Sequence, residues 1–140
     1  MFQLQSKRVS DLEALVAALN KSQAVIEFDL NGIILTANEN FLATVGYALS
    51  EIQGKHHSMF VDASFRDSPE YAAFWYELRK GEFQAARYKR FGKGGQEIWI
   101  EASYNPILGR SGEPYKVVKF ATDITSQMNE YADLKGQVEA

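Results

Sequence analysis

Residues 84–123 read QAARYKRFGKGGQEIWIEASYNPILGRSGEPYKVVKFATD. Three β-rich runs stand in this stretch: Arg87-Tyr88-Lys89-Arg90-Phe91, Ile98 to Tyr104, and Val117 to Thr122. Gly92-Lys93-Gly94-Gly95 separates the first two, and Leu108-Gly109-Arg110-Ser111-Gly112 leads to the third. Short glycine-containing connections between such runs are hairpin signals. Asn105-Pro106 is expected to close the middle strand. A three-stranded antiparallel meander is stable only when something covers one of its faces. The rest of the chain must supply that cover, and a pocket would lie between sheet and cover.

Upstream, Ser10-Asp11-Leu12-Glu13 matches a capping box, and Leu12, Leu15, Val16 and Leu19 follow at helical spacing. This predicts a helix from about Asp11 to Lys21 whose narrow apolar stripe lies on a sheet or meets a second copy. Ala24–Phe28 and Ile33–Thr36, joined by Asp29-Leu30-Asn31-Gly32, read as a hairpin. Asn38–Ala43 suits a short helix ended by Gly46, and Ser50-Glu51-Ile52 a further turn stopped at Gly54. Lys55 to Asp67 has no clean period, and loops of this length are often functional. Ser68-Pro69-Glu70 then starts a helix with Tyr71, Phe74, Trp75 and Leu78 on one face and Gly81 past its end. After Asp123-Ile124-Thr125, the residues Ile124, Met128, Tyr131, Leu134 and Val138 approximate a heptad seam over two repeats.

At 140 residues with 46% hydrophobic content the chain is one domain with an ordinary core. A net charge of −3 argues against a nucleic-acid or anionic-membrane surface. No apolar run approaches a membrane span, and the start lacks the apolar region of a secretory signal. Absence of cysteine removes disulfides and thiolate metal sites and suits a cytoplasmic location. There is no G-x-S-x-G, no phosphate-cradling loop followed by a helix, and no paired histidine spacing for zinc. The chain therefore reads as non-catalytic.

The order helix, two strands, short helices, one longer helix, three strands, helix resembles the PAS fold. Asp29-Leu30-Asn31-Gly32, Ala37-Asn38-Glu39-Asn40-Phe41, Gly46-Tyr47 and Glu51-Ile52-Gln53-Gly54 look like its first half. Lys93-Gly94-Gly95, Trp99, Asn105-Pro106-Ile107, Gly112 and Asp123-Ile124-Thr125 look like its second. His57-Ser58-Met59, Phe74-Trp75 and Val117–Asp123 are similar to the PAS domains of bacterial methyl-accepting chemotaxis receptors, aerotaxis-type receptors and related soluble transducers. The resemblance implies an α+β fold with a five-stranded antiparallel sheet ordered 2-1-5-4-3. It places residues 1–22 as an N-terminal cap helix, 23–125 as the PAS domain and 126–140 as a linker helix toward a signalling coiled coil.

The same resemblance implies a sensory domain that registers a small ligand or a redox or oxygen state through a cofactor. The signal would pass through the last strand and the Asp123-Ile124-Thr125 motif, with Asp123 and Thr125 as relay residues. The alternative is a ligand-free dimerisation and relay module. The implied pocket holds Asn40, His57, Phe60, Phe74, Trp75, Arg90, Ile100 and Tyr104. Flavin (FAD) is one candidate, with Trp75 walling off the ring and His57 hydrogen-bonding it. Flavin-binding relatives carry an arginine and a histidine where this chain has Val61 and Asp62, so a phosphate would meet an acid. Haem is the other candidate, with His56 or His57 as the metal ligand; the plainer reading has one histidine bonding the loop and the other exposed. In the family's register Ile100, Ala102 and Tyr104 point inward and Trp99, Glu101 and Ser103 outward; the direction of Lys119 stays open. A homodimer is expected through Leu12, Leu15, Val16, Leu19 and the outer sheet face at Trp99, with a downstream signalling domain as further partner.

Overall fold

The computed structural model describes residues 2–139, with side chains over 3–136. Helix α1 (Phe2–Ser22) leads into strands β1 (Ala24–Phe28) and β2 (Ile34–Ala37). Three short helices follow, α2 (Glu39–Val45), α3 (Leu49–Ile52) and α4 (Ala63–Arg66), with a 3-10 turn at His57–Phe60 before the last. Helix α5 (Pro69–Arg79), strands β3 (Gln84–Phe91), β4 (Glu97–Leu108) and β5 (Pro114–Asp123), and helix α6 (Thr125–Glu139) complete the chain. The strands form one antiparallel sheet ordered β2-β1-β5-β4-β3, as the resemblance implies.

Each element starts where local chemistry favours it. Asn38 caps α2, its side chain accepting from Phe41 N–H, and Gly46 ends that helix at φ 76°. Ser68 caps α5 by accepting from Tyr71 N–H, with Pro69 in the first turn. In the β1–β2 turn the Asp29 carboxylate accepts from the N–H groups of Asn31 and Ile33 at 2.8 and 3.0 Å. Gly32 takes φ +82° there, a conformation that side chains resist.

Three expectations need correction. Helix α1 begins at Phe2, not near Asp11. Nothing between Phe2 and Ser10 breaks a helix, so the capping-box residues lie mid-helix. Asn105-Pro106 does not close the middle strand: β4 runs to Leu108, and Pro106 stands opposite Val117. The segment from Lys55 to Asp67 is not an irregular loop but holds the 3-10 turn and α4. These are too short for a hydrophobic period to register.

The core lies between the inner sheet face and α2, α3, the 3-10 turn and α5. Ile26, Phe28, Ile98, Ile100, Ala102, Tyr104, Val117 and Ala121 supply the sheet side; Phe41, Ile52, Phe60, Tyr71, Trp75 and Leu78 close it. Lys119 points inward beside Val117 and Ala121. Register requires this, since Lys119 stands opposite both Ile26 and Tyr104, and residues directly paired across strands share a face. On the outer face α1 lines a groove of about 350 Å³ through Val16 and Leu19 against Val25, Val118 and Phe120. Leu12, Leu15 and Val16 remain more than half exposed. Trp99 is half-buried and is engaged by α6, as its hydrogen bonds below show. Ile124, between β5 and α6, is buried, whereas Tyr131 and Leu134 on α6 are exposed; the side chain of Val138 lies outside the described residues.

Candidate functional site

The inner face centres on His57, which is fully buried. Backbone contacts drive it there. His57 N–H donates to Gly32 C=O at 2.8 Å, Ile34 N–H donates to Lys55 C=O at 2.8 Å, and Ile33 and His56 form an isolated bridge. The β1–β2 turn thus pins the segment, and the 3-10 turn aims the two neighbouring histidines apart. His56 caps that turn, its Nδ1 accepting from Ser58 N–H at 3.0 Å. Its Nε2 packs against Gly32, where an added Cβ would sit 2.7 Å away. So one histidine does bond the loop, but the other is buried and not exposed.

Both ring nitrogens of His57 are engaged. Nδ1 lies 2.7 Å from the Tyr71 hydroxyl and Nε2 lies 2.9 Å from the Tyr104 hydroxyl. A neutral imidazole satisfies both tyrosines, donating at one nitrogen and accepting at the other. Burial, followed by the charges of Arg90 and Lys119, holds its pKa well below the usual histidine value. Around the ring, Tyr71 and Phe74 stack at 5.8 and 6.2 Å between centroids, and Phe28, Trp75 and Tyr104 meet it edge-on.

Tyr104 links this histidine to two buried cations. Its oxygen accepts from Arg90 Nη2 at 3.2 Å, and Lys119 Nζ lies 4.9 Å from its ring centroid. Lys119 is 1% exposed and Arg90 6%. Among the described residues no carboxylate comes within 4.0 Å of either. Aromatic faces take that place: Phe41 also lies under Lys119, and Tyr88 under Arg90. Burial raises the Tyr104 pKa, but Lys119 and Arg90 outweigh it, so the phenol falls below the ordinary tyrosine range. Burial lowers the Lys119 pKa, Tyr104 opposing. Tyr71 and Tyr88 go the other way, pushed up to about 12 chiefly by burial.

Of the expected pocket residues, His57, Phe60, Phe74, Trp75, Arg90, Ile100 and Tyr104 converge on this face. Asn40 does not. It is exposed, and its amide donates to the carbonyls of Asn20, Lys21 and Gln23 at 3.0–3.1 Å, tying α2 to the end of α1. Two members were missed. The sequence shows Tyr71 only as part of an apolar helix face and gives Lys119 no direction. Centring the hairpin on Gly109–Gly112 would place Tyr104 opposite Val117; a register shift between Ile107 and Leu108 brings Lys119 there instead, so the turn alone does not give the pair.

A second set of bonds joins sheet to α6. Ile124 N–H donates to Trp99 C=O at 2.9 Å, and Trp99 N–H donates to Thr125 Oγ1 at 3.0 Å. Asp123 Oδ1 accepts from Thr125 N–H at 2.9 Å. The ladder between β4 and β5 therefore continues past its last strand pair into the first turn of the helix.

A family model for the PAS fold matches residues 34–121. The chain belongs to the PAS fold family. Biofilm dispersion protein BdlA of Pseudomonas aeruginosa is 43% identical to this PAS domain over 135 residues, covering 89% of this chain and 32% of that protein. The aerotaxis receptor of Escherichia coli is 32% identical over 101 residues, covering 71% and 19%. The chain thus spans about a third or less of these relatives. An RNA-binding light-oxygen-voltage receptor superposes with a TM-score of 0.74 at 20% identity, covering 91% of this chain and 37% of the other. A PAS domain from Colwellia psychrerythraea gives 0.68 at 21% identity, covering 82% and 98%. At these identities the structural likeness speaks for the PAS fold alone.

Proposed function

We propose that this PAS domain is the sensory module of a chemotaxis-type signal transducer, in which the His57–Tyr104–Arg90–Lys119 network is the input and α6 the output. The observation that carries this reading is the Trp99 backbone bonded to Ile124 and Thr125. Trp99 stands between Ile98 and Ile100, whose side chains pack on the inner face. A shift of β4 caused by rearranged hydrogen bonds at Tyr104 changes the hold on the first turn of α6. Two arrangements of the network biased by a stimulus would then favour two states of the helix. Similarity to an aerotaxis receptor and to a biofilm dispersion protein supports a transducer context. A homodimer and a downstream signalling domain belong to the same reading, as does a cytoplasmic setting; no helix among the described residues is long and apolar enough to cross a membrane.

The packed inner face does not fit a haem or flavin as it stands. Iron ligation by His57 would take a nitrogen from Tyr71 or Tyr104, and His56 has Nδ1 engaged and Nε2 against Gly32. An isoalloxazine would have to part Phe74 from Tyr104, whose centroids lie 4.8 Å apart. Among the described residues Trp75 Nε1 is buried with no acceptor in hydrogen-bonding geometry, and it is one donor that a ligand could satisfy. The reading accordingly rests on the hydrogen-bonded network and not on a prosthetic group; an absorption spectrum free of flavin and Soret bands is expected.

Asp123→Ala tests the output end. It is expected to leave the thermal midpoint of the core nearly unchanged while amide exchange at the start of α6 speeds up several-fold. Unchanged α6 exchange would count against the route.

A further inference from the structure

Beside the network lies a groove of about 370 Å³ at the free edge of β3. Its walls are aromatic: Phe65 from α4, Tyr88 from β3 and Trp99 from β4. Arg87, Lys89 and Arg90 bring three cations to it, against one carboxylate, Asp62, which caps α4 by accepting from Ser64 N–H. This local excess of positive charge stands on a chain of net charge −3, so it is a feature of the groove and not of the whole surface.

Arg90 distinguishes this groove from a chance cluster of surface charges. It is 94% buried by its 6% exposure. Its Nη1 donates to Lys89 C=O and its Nη2 to Tyr104, but its Nε is buried with no acceptor among the described residues. A buried guanidinium N–H left unpaired is costly, and a guanidinium presents a planar fork matched to a carboxylate. Phe65, 36% exposed, leaves an aromatic face open to solvent at the mouth. The combination asks for a flat ring to lie against Phe65 and Trp99 and an anionic head to meet Arg90.

The geometry points to this groove as a binding site for small aromatic carboxylates, with Arg90 holding the carboxylate and Phe65 and Trp99 holding the ring. The groove touches both ends of the relay. Arg90 donates to Tyr104, and the backbone of Trp99 holds Ile124 and Thr125. A carboxylate that draws Arg90 from Tyr104 would therefore alter the network, while the ring presses on the residue that anchors α6. This consequence rests on the relay proposed above; the binding itself does not.

Benzoate is the probe, with benzamide as its neutral isostere and acetate as the head without the ring. Binding is read on the unaltered chain from the NMR shift of the Trp99 indole N–H and from the thermal midpoint. Saturable benzoate binding is expected, with benzamide and acetate each at least about tenfold weaker. Arg90→Gln is expected to weaken benzoate at least about tenfold. Phe65→Ala, which removes a half-exposed ring and leaves the core intact, is expected to weaken it several-fold. Equal binding of benzamide, no saturable response at millimolar benzoate, or undiminished binding in folded Arg90→Gln or Phe65→Ala would overturn the site. Exchange of α6 amides at saturating benzoate separates the two proposals. Binding without a change in α6 upholds the site and removes the relay. A relay that responds to inner-face variants, with no benzoate binding, removes the site.

Discussion

The Tyr104 hydroxyl stands 2.9 Å from His57 Nε2 and 3.2 Å from Arg90 Nη2. One phenol oxygen thus joins a buried neutral imidazole to a buried guanidinium, with Lys119 over the same ring. Truncating it leaves Arg90 and His57, both buried, each short of a partner. Tyr104→Phe is expected to cost about 2 kcal/mol in urea unfolding, within the range for bonds to charged groups. A cost near zero would mean that water or a rotamer change rescues both partners.

His57 gives the domain a signed dependence on acid. Its folded pKa lies well below the ordinary 6.5, so the unfolded chain takes up a proton that the folded chain refuses. The stability that this group contributes is complete above pH 6.5 and is lost as pH falls below it. The expected slope is about 1.4 kcal/mol per pH unit for the one proton. His57→Gln, which cannot titrate, should flatten the dependence between pH 6.5 and 5 in denaturant titrations, even if it lowers stability overall.

Lys119 is a buried cation with aromatic faces and a phenol for company. Replacement by a methionine of similar shape removes a desolvated charge, a change that is often neutral or stabilising. Lys119→Met is expected to leave stability unchanged or raise it by about 1–2 kcal/mol. It should also raise the Tyr104 pKa back toward the usual 10.0, since Lys119 is the first charge holding it down. The check is ultraviolet titration of tyrosinate. The Tyr104 step is expected below the ordinary tyrosine range in the unaltered chain and is expected to move up in Lys119→Met. The sign for stability follows. A depressed phenol contributes most above pH 10 and loses that contribution as pH falls through its folded value. Tyr71 and Tyr88, near 12, act oppositely above pH 10.

Gly32 is needed on two counts, its φ of +82° and the 2.7 Å approach of His56 Nε2 to an added Cβ, with Trp75 ring carbons 3.1–3.2 Å away. Gly32→Ala is expected to destabilise by about 2 kcal/mol or more, adding left-handed strain to displacement of His56 or Trp75. Equilibrium unfolding measures it. A value within a few tenths of zero would show that the turn relaxes freely.

The sheet was readable because its signals are local. Gly92–Gly95 and Gly109–Gly112 mark turns, and β4 alternates cleanly through Ile98, Ile100, Ala102 and Tyr104. The helix face Tyr71-Phe74-Trp75-Leu78 was equally plain. The site was only half readable. That His57 and Trp75 belong together rested on family resemblance, and the partners of His57 are 14 and 47 residues distant in sequence, beyond any periodic signal. Lys119 failed for a different reason: a lysine in a strand reads as solvated, and only the register against Tyr104 turns it inward. For Asn40 the sequence marks the helix but not the face; its amide reaches back to the end of α1. The length of α1 was missed because a capping-box pattern carries no information when the helix has already begun.

In the proposed relay the inner-face network and α6 are coupled through Trp99. The most direct measurement is amide hydrogen exchange at Ile124 and Met128, which donate to Trp99 C=O and to Ile124 C=O, in the unaltered chain, Tyr104→Phe, Thr125→Val and the double variant. Tyr104→Phe is expected to change exchange at both amides several-fold beyond the change in global stability. Thr125→Val is expected to abolish that response. Exchange at α6 that tracks global stability alone, identically with and without Thr125, would contradict the relay.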